Sequence, residues 1–252
     1  MSGHSKWATI RHKKGAADAK RGKIFSKLAK EMMVVARQGG GDPATNPTLR
    51  TLMQKAKSEN MPSENIDRAI KKGTGDLDGV TYEEITYEGY AAGGVGMIVK
   101  VLTDNKNRAA AEIRHIFGKN GSSFAAPGSV SRSFERLGQI QVAAEGMDED
   151  RLMTIVLEAG ADDMELEDDQ YRITTQPAAF NDVCEALEQA GIATTSAETG
   201  LVPTAWTPVT DLAQAQAVMR FVAALEDNDD VQEVVTNMDV DDSLVQALQS
   251  EN

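Results

Sequence analysis

The first thirty residues combine basic and aromatic side chains in a pattern suited to binding a polyanion. Eight basic residues lie between Arg11 and Lys30, and Asp18 is the one acidic residue among them. Lysine and arginine contact phosphate, and Trp7 or His12 could stack on an exposed base, a contact worth roughly 1–3 kcal/mol. The predicted nucleic-acid-binding residues are Lys6, Trp7, Arg11, His12, Lys13, Lys14, Lys20, Arg21, Lys23, Lys27 and Lys30.

Two plainer interpretations of these residues stay open. A run of charges is usually a solvated helix face, and Trp7 could fold back onto the helices that follow instead of stacking on a base. Mutual repulsion among so many cations, however, is hard to explain without an anionic partner. The sequence therefore favours phosphate binding.

Charge is distributed very unevenly along this acidic chain. The 252 residues carry 26 Lys and Arg against 39 Asp and Glu, a formal net charge of −13. Residues 1–72 hold 16 basic and 6 acidic side chains, residues 73–136 hold 7 and 8, and residues 137–252 hold 3 and 25. Salt confines electrostatic potential to about 10 Å, so the basic end can bind an anion although the whole chain is acidic.

Side chains that could perform catalysis or hold a metal show no suitable spacing. His4, His12, His115 and Cys184 do not form a ligand motif, and residues 227–230 lack the later glycine and glutamate of a calcium loop. No Ser, His and Asp arrangement or activated cysteine can be proposed from the spacing. We predict no enzymatic activity, no metal and no cofactor.

Cysteine content and hydropathy predict a cytoplasmic location. The one cysteine, Cys184, cannot form an intramolecular disulfide and suits a reducing compartment. No stretch approaches the roughly 18 apolar residues of a membrane helix, and the basic amino terminus lacks the apolar core of a signal peptide. We expect no membrane partner.

Helical periodicity follows the basic arm, which comprises residues 1–17. From Asp18 the apolar residues recur every three or four positions, and a basic stripe (Lys20, Lys23, Lys27, Lys30 and Arg37) lies roughly 150–180° away around the helix. Asn46 and Pro47 predict the start of a second helix, and Gly73 and Gly75 the end of a third. Three short amphipathic helices predict a bundle.

Strand patterns begin after residue 80. They predict a hairpin over residues 82–102, a helix after Asp104, and a strand pair that turns at Leu137 and Gly138. The next elements follow the order βαββαβ, a ferredoxin-like split βαβ domain, and the remaining strand, helix and strand lack a core of their own. We infer that these last elements return to the sheet begun at residue 82.

The predicted fold class is α+β with three domains, the last of them inserted in the middle one. A loosely held acidic tail is expected to follow. The predicted boundaries are 1–75 for the arm and helical bundle, 80–137 plus 202–238 for the middle α/β domain, 138–201 for the inserted domain and 239–252 for the tail.

Several short motifs resemble those of the YebC/PmpR family. They are GHSKW at Gly3, HKKGAADAKRGKIFSKL at His12, GGGDP at Gly39, YEGY at Tyr87, DNKNR at Asp104 and GSV at Gly128. The similarity runs in register over nearly the whole chain. It implies a helical amino-terminal domain, two α/β domains, and a non-enzymatic role in the regulation of gene expression.

The resemblance implies two roles that conflict. Family members are described as transcriptional regulators that bind promoter DNA, and others as ribosome-associated factors that promote translation through proline-rich stretches. A basic stripe made mostly of lysine suits phosphate positioning more than base readout. The acidic residues 137–252 could face basic ribosomal proteins while the arm contacts ribosomal RNA.

We therefore expect a monomeric, ribosome-associated translation factor. A DNA-binding transcriptional regulator is the alternative. A protein-only adaptor, or an enzyme that uses a cleft between domains, is the second alternative.

Overall fold

The amino-terminal part of the chain is a bundle of three helices. A computed structural model describes residues 17–167, 169–240, 244, 245 and 248. The bundle helices are α1 (Ala17–Gly39), α2 (Pro47–Ser58) and α3 (Ser63–Thr74). Leu28, Met32, Leu49 and Ile66 are buried in its core, as their helical spacing predicts.

Asn46 fixes the turn between the first two helices. Its side chain accepts a hydrogen bond from the Leu49 N–H at 3.1 Å, which caps α2. The same amide donates to the backbone oxygens of Val35 at 3.1 Å and Gly40 at 2.9 Å. Because Asn46 is bonded to both helices, it sets the angle at which they pack.

The middle sheet contains four strands and is covered on one face by two helices. Its strands are β1 (Glu83–Tyr90), β2 (Gly96–Thr103), β3 (Ser123–Phe124) and β9 (Val231–Thr236), in the order β3-β1-β2-β9. The helices are α4 (Lys106–Lys119) and α7 (Leu212–Glu226). Phe117 of α4 and Phe221 of α7 meet edge to face with their ring centroids 4.8 Å apart, over buried Val99.

The second large sheet has the ferredoxin-like order β5-β6-β4-β7. Its elements are β4 (Phe134–Ala143), α5 (Glu149–Glu158), β5 (Ala161–Glu167), β6 (Gln170–Thr175), α6 (Phe180–Gln189) and β7 (Thr194–Pro203). A short parallel pair, β8 (Thr207–Pro208) with β10 (Met238–Asp239), completes the described strands. All strands of this second sheet lie between β3 and β9 in the chain, and β3 and β9 both belong to the middle sheet. The predicted α+β fold with its inserted last domain is therefore confirmed.

The strand pair predicted around Leu137 and Gly138 is wrong. Residues 134–143 form one continuous strand, in which Gly138 pairs with Thr175 on one side and Thr199 on the other. A Cβ at Gly138 would collide with Thr175 Oγ1 and lie 2.5 Å from Phe180 Cδ2. This glycine therefore allows a close approach inside the sheet and does not form a turn.

The acidic tail differs from the expected loose segment. Val240, Leu244 and Leu248 are 3%, 6% and 5% exposed and belong to the core of the middle domain. The many acidic residues of the tail hid these apolar residues in the sequence.

Gly138 provides a direct test of sheet packing, with Gly200 as a matched control in the neighbouring strand. A Cβ at Gly200 would meet no atom within 4 Å. We expect Gly138→Ala to lower the free energy of unfolding by about 1–3 kcal/mol, because the added methyl group overpacks the site. Gly200→Ala should change it by less than about 0.5 kcal/mol in the same urea titration. Equal effects of the two substitutions would contradict this account of Gly138.

Candidate nucleic-acid interface

The predicted nucleic-acid-binding residues fall into three groups: those outside the described residues, two at the start of α1, and three lysines further along α1. Those outside the described residues are Lys6, Trp7, Arg11, His12, Lys13 and Lys14. Lys20 lies in α1 with only its backbone described, and Arg21 begins the part of α1 whose side chains are described. For all of these, nucleic-acid binding stays a prediction.

Three lysines of the basic stripe contact the carboxyl end of α7. Lys23 Nζ donates to the backbone oxygen of Asp227 at 2.9 Å and forms an ion pair with the Asp227 carboxylate. Lys27 Nζ donates to the backbone oxygen of Glu226 at 3.0 Å. We call residues 226–230 the acidic turn.

Lys30 makes the most buried of these contacts. Its Nζ donates to the backbone oxygen of Asp229 at 2.8 Å and to the Asp230 carboxylate at 3.0 Å. The last carbonyl groups of a helix have no partner within the helix and carry partial negative charge, so cations are favoured there. The acidic turn thus offers these lysines carboxylate and carbonyl oxygen atoms, which accept hydrogen bonds from an ammonium group as phosphate oxygens do.

The stripe was predicted to face a polyanion from outside the protein. In the structure, Lys23, Lys27 and Lys30 instead join the helical bundle to the middle domain. A phosphate would compete with the acidic turn for these three amines. Their role in nucleic-acid binding stays a prediction.

Asp230 is the centre of a buried polar network at this junction. The residue is 5% exposed and accepts hydrogen bonds from Lys30, from the Thr103 hydroxyl at 2.8 Å and from Arg108 at 2.8 Å. Burial disfavours the charged carboxylate, but the donors outweigh burial and hold the Asp230 pKa below its usual value of 3.8. Arg108 also bonds Asp104 at 2.7 Å, so the DNKNR motif supplies part of the junction.

A second contact joins α1 to the face of the middle sheet opposite α4 and α7. Glu31 lies close to the cross-strand pair of Lys100 and Glu233, whose charged atoms are 2.6 Å apart. Burial raises the pKa of the Glu31 carboxyl; Lys55 opposes that rise and the Glu233 carboxylate adds to it. Lys55 also approaches Glu198 of β7 at 3.5 Å, an exposed pair of small energetic value.

Glu88 explains two other sequence motifs. Its carboxylate accepts backbone N–H bonds from Gly128 at 2.8 Å, Val130 at 2.6 Å and Ser131 at 3.0 Å. Burial opposes ionisation, but these donors lower the pKa of Glu88. The Glu88 of YEGY therefore holds the GSV loop in place.

Sequence reasoning missed Asp230 and Glu88 as organising residues. The DNDD run at residues 227–230 was considered only as a calcium loop, although it follows directly on a helix. An acidic run after a helix end and a basic stripe elsewhere in the chain were signals that could have been paired. Glu88 gave no comparable signal, because its partners are backbone groups.

Apart from these polar contacts, the described residues offer little other chemistry. In the described part of the chain no group of three or more His, Cys, Asp or Glu side chains could hold a metal ion. Cys184 is half-buried, and burial raises the pKa of its thiol to about 11. None of the described helices is long and apolar enough to cross a bilayer.

Comparison with known proteins finds two matching family models. One is described as the TACO1/YebC protein N-terminal domain and matches residues 5–76. The other is described as the TACO1/YebC second and third domain and matches residues 82–238.

Several relatives match this chain over nearly its whole length. A probable transcriptional regulatory protein of Desulfatibacillum aliphaticivorans is 53% identical over 245 residues, covering 97% of this chain and 99% of the relative. One from Geobacter sulfurreducens is 53% identical over 240 residues, covering 95% and 96%. The crystal structure of a conserved hypothetical protein, Aq1575 from Aquifex aeolicus, superposes with a TM-score of 0.82 at 44% identity and covers 94% of this chain and 97% of that one.

The Asp230 network predicts a specific dependence of stability on pH. Since the folded-state pKa of Asp230 lies below its unfolded value of 3.8, its stabilising effect is present above about pH 4 and is lost as the pH falls through the folded pKa. We expect Asp230→Asn to lower the free energy of unfolding at pH 7 by about 1–3 kcal/mol. The difference in free energy of unfolding between the wild type and Asp230→Asn should become smaller below about pH 4.

Asp229→Asn is the matched control for this experiment. Asp229 is exposed and contributes its backbone oxygen to Lys30, which the substitution retains. Urea unfolding of Asp229→Asn should follow the wild type within about 0.5 kcal/mol at each pH. A gap for Asp230→Asn that is as wide at pH 3 as at pH 7 would contradict the role assigned to this carboxylate.

Proposed function

The chain belongs to the TACO1/YebC family, and from that premise we propose that it is a non-enzymatic regulator of gene expression that binds nucleic acid through its basic arm. We further propose that it acts in the cytoplasm, as a monomer on the ribosome, where it eases stalls at proline-rich stretches. Lys6, Arg11, Lys13 and Lys14 would contact phosphates. Trp7 and His12 would stack on bases.

The bonds from Lys23, Lys27 and Lys30 to the acidic turn are the observation on which this proposal rests. Lys23, Lys27 and Lys30 are bonded to the acidic turn, so we assign the grip on an outside polyanion to the arm and its Lys6, Arg11, Lys13 and Lys14. Residues 1–72 keep an excess of ten positive charges, while residues 137–252 carry an excess of twenty-two negative ones. This separation lets the arm approach a polyanion that the acidic residues 137–252 repel.

Structured RNA suits this arrangement better than a DNA duplex does. Proteins that bind specific DNA sequences commonly place a recognition helix in the major groove. In α1, the most basic of the described helices, Lys23, Lys27 and Lys30 lie against the acidic turn, so that face cannot enter a groove while the junction is closed. RNA loops present phosphates and unpaired bases, which lysines and aromatic rings bind. Basic ribosomal proteins would complement the acidic inserted domain.

Promoter DNA is the second candidate ligand. The names of the relatives favour it, since the proteins from Desulfatibacillum and Geobacter are each called a probable transcriptional regulatory protein. An adaptor without nucleic acid, or an enzyme in an interdomain cleft, has no supporting arrangement of side chains among the residues that the structure describes.

Salt dependence tests which lysines hold the polyanion. Removing one phosphate-binding cation should reduce the slope of log affinity against log salt by about 0.7 for a single-stranded ligand. We expect Lys13→Ala with Lys14→Ala to flatten the slope by about 1.4 in fluorescence titrations with a short RNA. Lys23→Ala with Lys27→Ala, which removes equal charge, should leave the slope nearly unchanged. An unchanged slope for the arm variant would contradict the proposal.

Sedimentation distinguishes the ribosome from promoter DNA. We expect the full chain to migrate with ribosomes in a sucrose gradient of cell lysate. A chain lacking residues 2–16, which retains α1, should stay at the top of the gradient. Sequence-dependent footprints on duplex DNA, together with no ribosome association by the full chain, would support the transcriptional role instead.

A further inference from the structure

We propose that a groove between α1 and α3 binds one unstacked base of the nucleic acid that the arm grips. This inference rests on the proposed function and extends it to a second part of the helical bundle. The groove has a volume of about 230 Å³, and its apolar floor is formed by Phe25, Ala29, Met33 and Met61.

The floor of the groove has the chemistry of a stacking site. Phe25 is half-buried, so its ring packs on the bundle and still borders the groove. Bases unstacked from RNA commonly stack on such rings. The volume is below the roughly 300–1,000 Å³ of sites for small molecules and cofactors, so a single flat ring fits better than a larger ligand.

The rim of the groove is cationic. Arg68 and Lys72 are four residues apart on α3 and therefore lie side by side. In the described part of the chain neither side chain has an ion-pair or hydrogen-bond partner. The lysines at the acidic turn, in contrast, are bonded there. No carboxylate among the described residues lines the groove, so the rim complements the phosphates on either side of a bound base. Asn65 adds an amide that can both donate to and accept from a base edge.

The position of the groove connects it to the arm. Phe25 lies eight residues after Ala17, about 12 Å along the helix axis. The groove face of α1 is rotated by roughly 120–130° from Lys23, Lys27 and Lys30. A strand held by the arm can thus reach the groove while the junction with the acidic turn stays closed.

Two segments of the chain itself are poorer occupants. The acidic, partly apolar tail would complement the rim, but Leu244 and Leu248 are already buried in the middle domain. Trp7 is surrounded by lysines and arginine in the arm, and Arg68 and Lys72 would repel them. A nucleotide carries the flat ring and the negative charge together.

A thermodynamic cycle on the full chain tests the proposal. The probes are a short oligoadenylate and an abasic oligomer of equal length, and the variant is Phe25→Leu, which keeps an apolar side chain but removes the aromatic face. We expect the preference of the wild type for the oligoadenylate to fall roughly five- to 150-fold in the variant. Its salt slope should not change, since no cation is removed.

Two further variants make the result specific. Ile24→Ala removes an exposed apolar side chain next to Phe25 but outside the groove, and should leave the preference unchanged. Arg68→Gln with Lys72→Gln, which replaces an exposed and a half-buried cation by neutral amides, should flatten the salt slope by about 1.4. The base-stacking preference should survive that double substitution.

The outcomes separate the two proposals. If the wild type binds oligoadenylate and Phe25→Leu weakens binding equally for both oligomers, or for neither, the groove is not a base site, although the arm remains a binding site. Retention of the full salt slope in the Arg68 and Lys72 variant would also overturn the inference. If the wild type binds neither oligomer in dilute buffer, the proposed function itself fails and the groove inference fails with it.

Discussion

The bonds between the lysine amines of α1 and the oxygen atoms of the acidic turn are the interaction on which the arrangement of this protein depends. Exposed pairs such as Lys23 with Asp227 are each worth only about 0–1 kcal/mol. Asp230 is different, because it is buried and receives donors from three separate elements. Removal of any one donor leaves a buried charge less well compensated. The junction is therefore held chiefly at Asp230, and the exposed lysines add orientation.

This junction also decides which cations remain for a partner. Viewed as sequence, the stripe and the arm form one continuous basic region. In the structure, Lys23, Lys27 and Lys30 of the stripe are bonded to the acidic turn, while the side chains of Arg68 and Lys72 on α3 stay unpaired among the described residues. Among the described residues, positive charge is thus offered at the groove, on a face of α1 turned away from the acidic turn. A charged partner responds to such local potential more than to the net charge of −13.

Sequence patterns were sufficient for the architecture because the fold follows periodicity closely. The helix expected from Asp18 starts at Ala17, and the strand–helix–strand that lacked a core returns as α7 and β9 to the middle sheet. Gly138 misled because glycine is common both in turns and where another chain segment comes close. The partners of Lys23, Lys27 and Lys30 lie about two hundred residues away, and no local pattern reports such a contact. The structure shows what two of the family motifs do: Glu88 of YEGY binds backbone N–H groups of the GSV loop, and Arg108 of DNKNR binds Asp104 and Asp230.

Lysine acylation, read residue by residue by mass spectrometry, tests the central claim most directly. We predict that in the free protein Lys13 and Lys14 react fast while Lys27 and Lys30 react slowly, and that added RNA protects the arm lysines and Lys72 without changing Lys30. Fast reaction of Lys27 and Lys30 in the free protein, followed by their protection on RNA binding, would show that the stripe itself holds the polyanion and would contradict the internal role assigned to it.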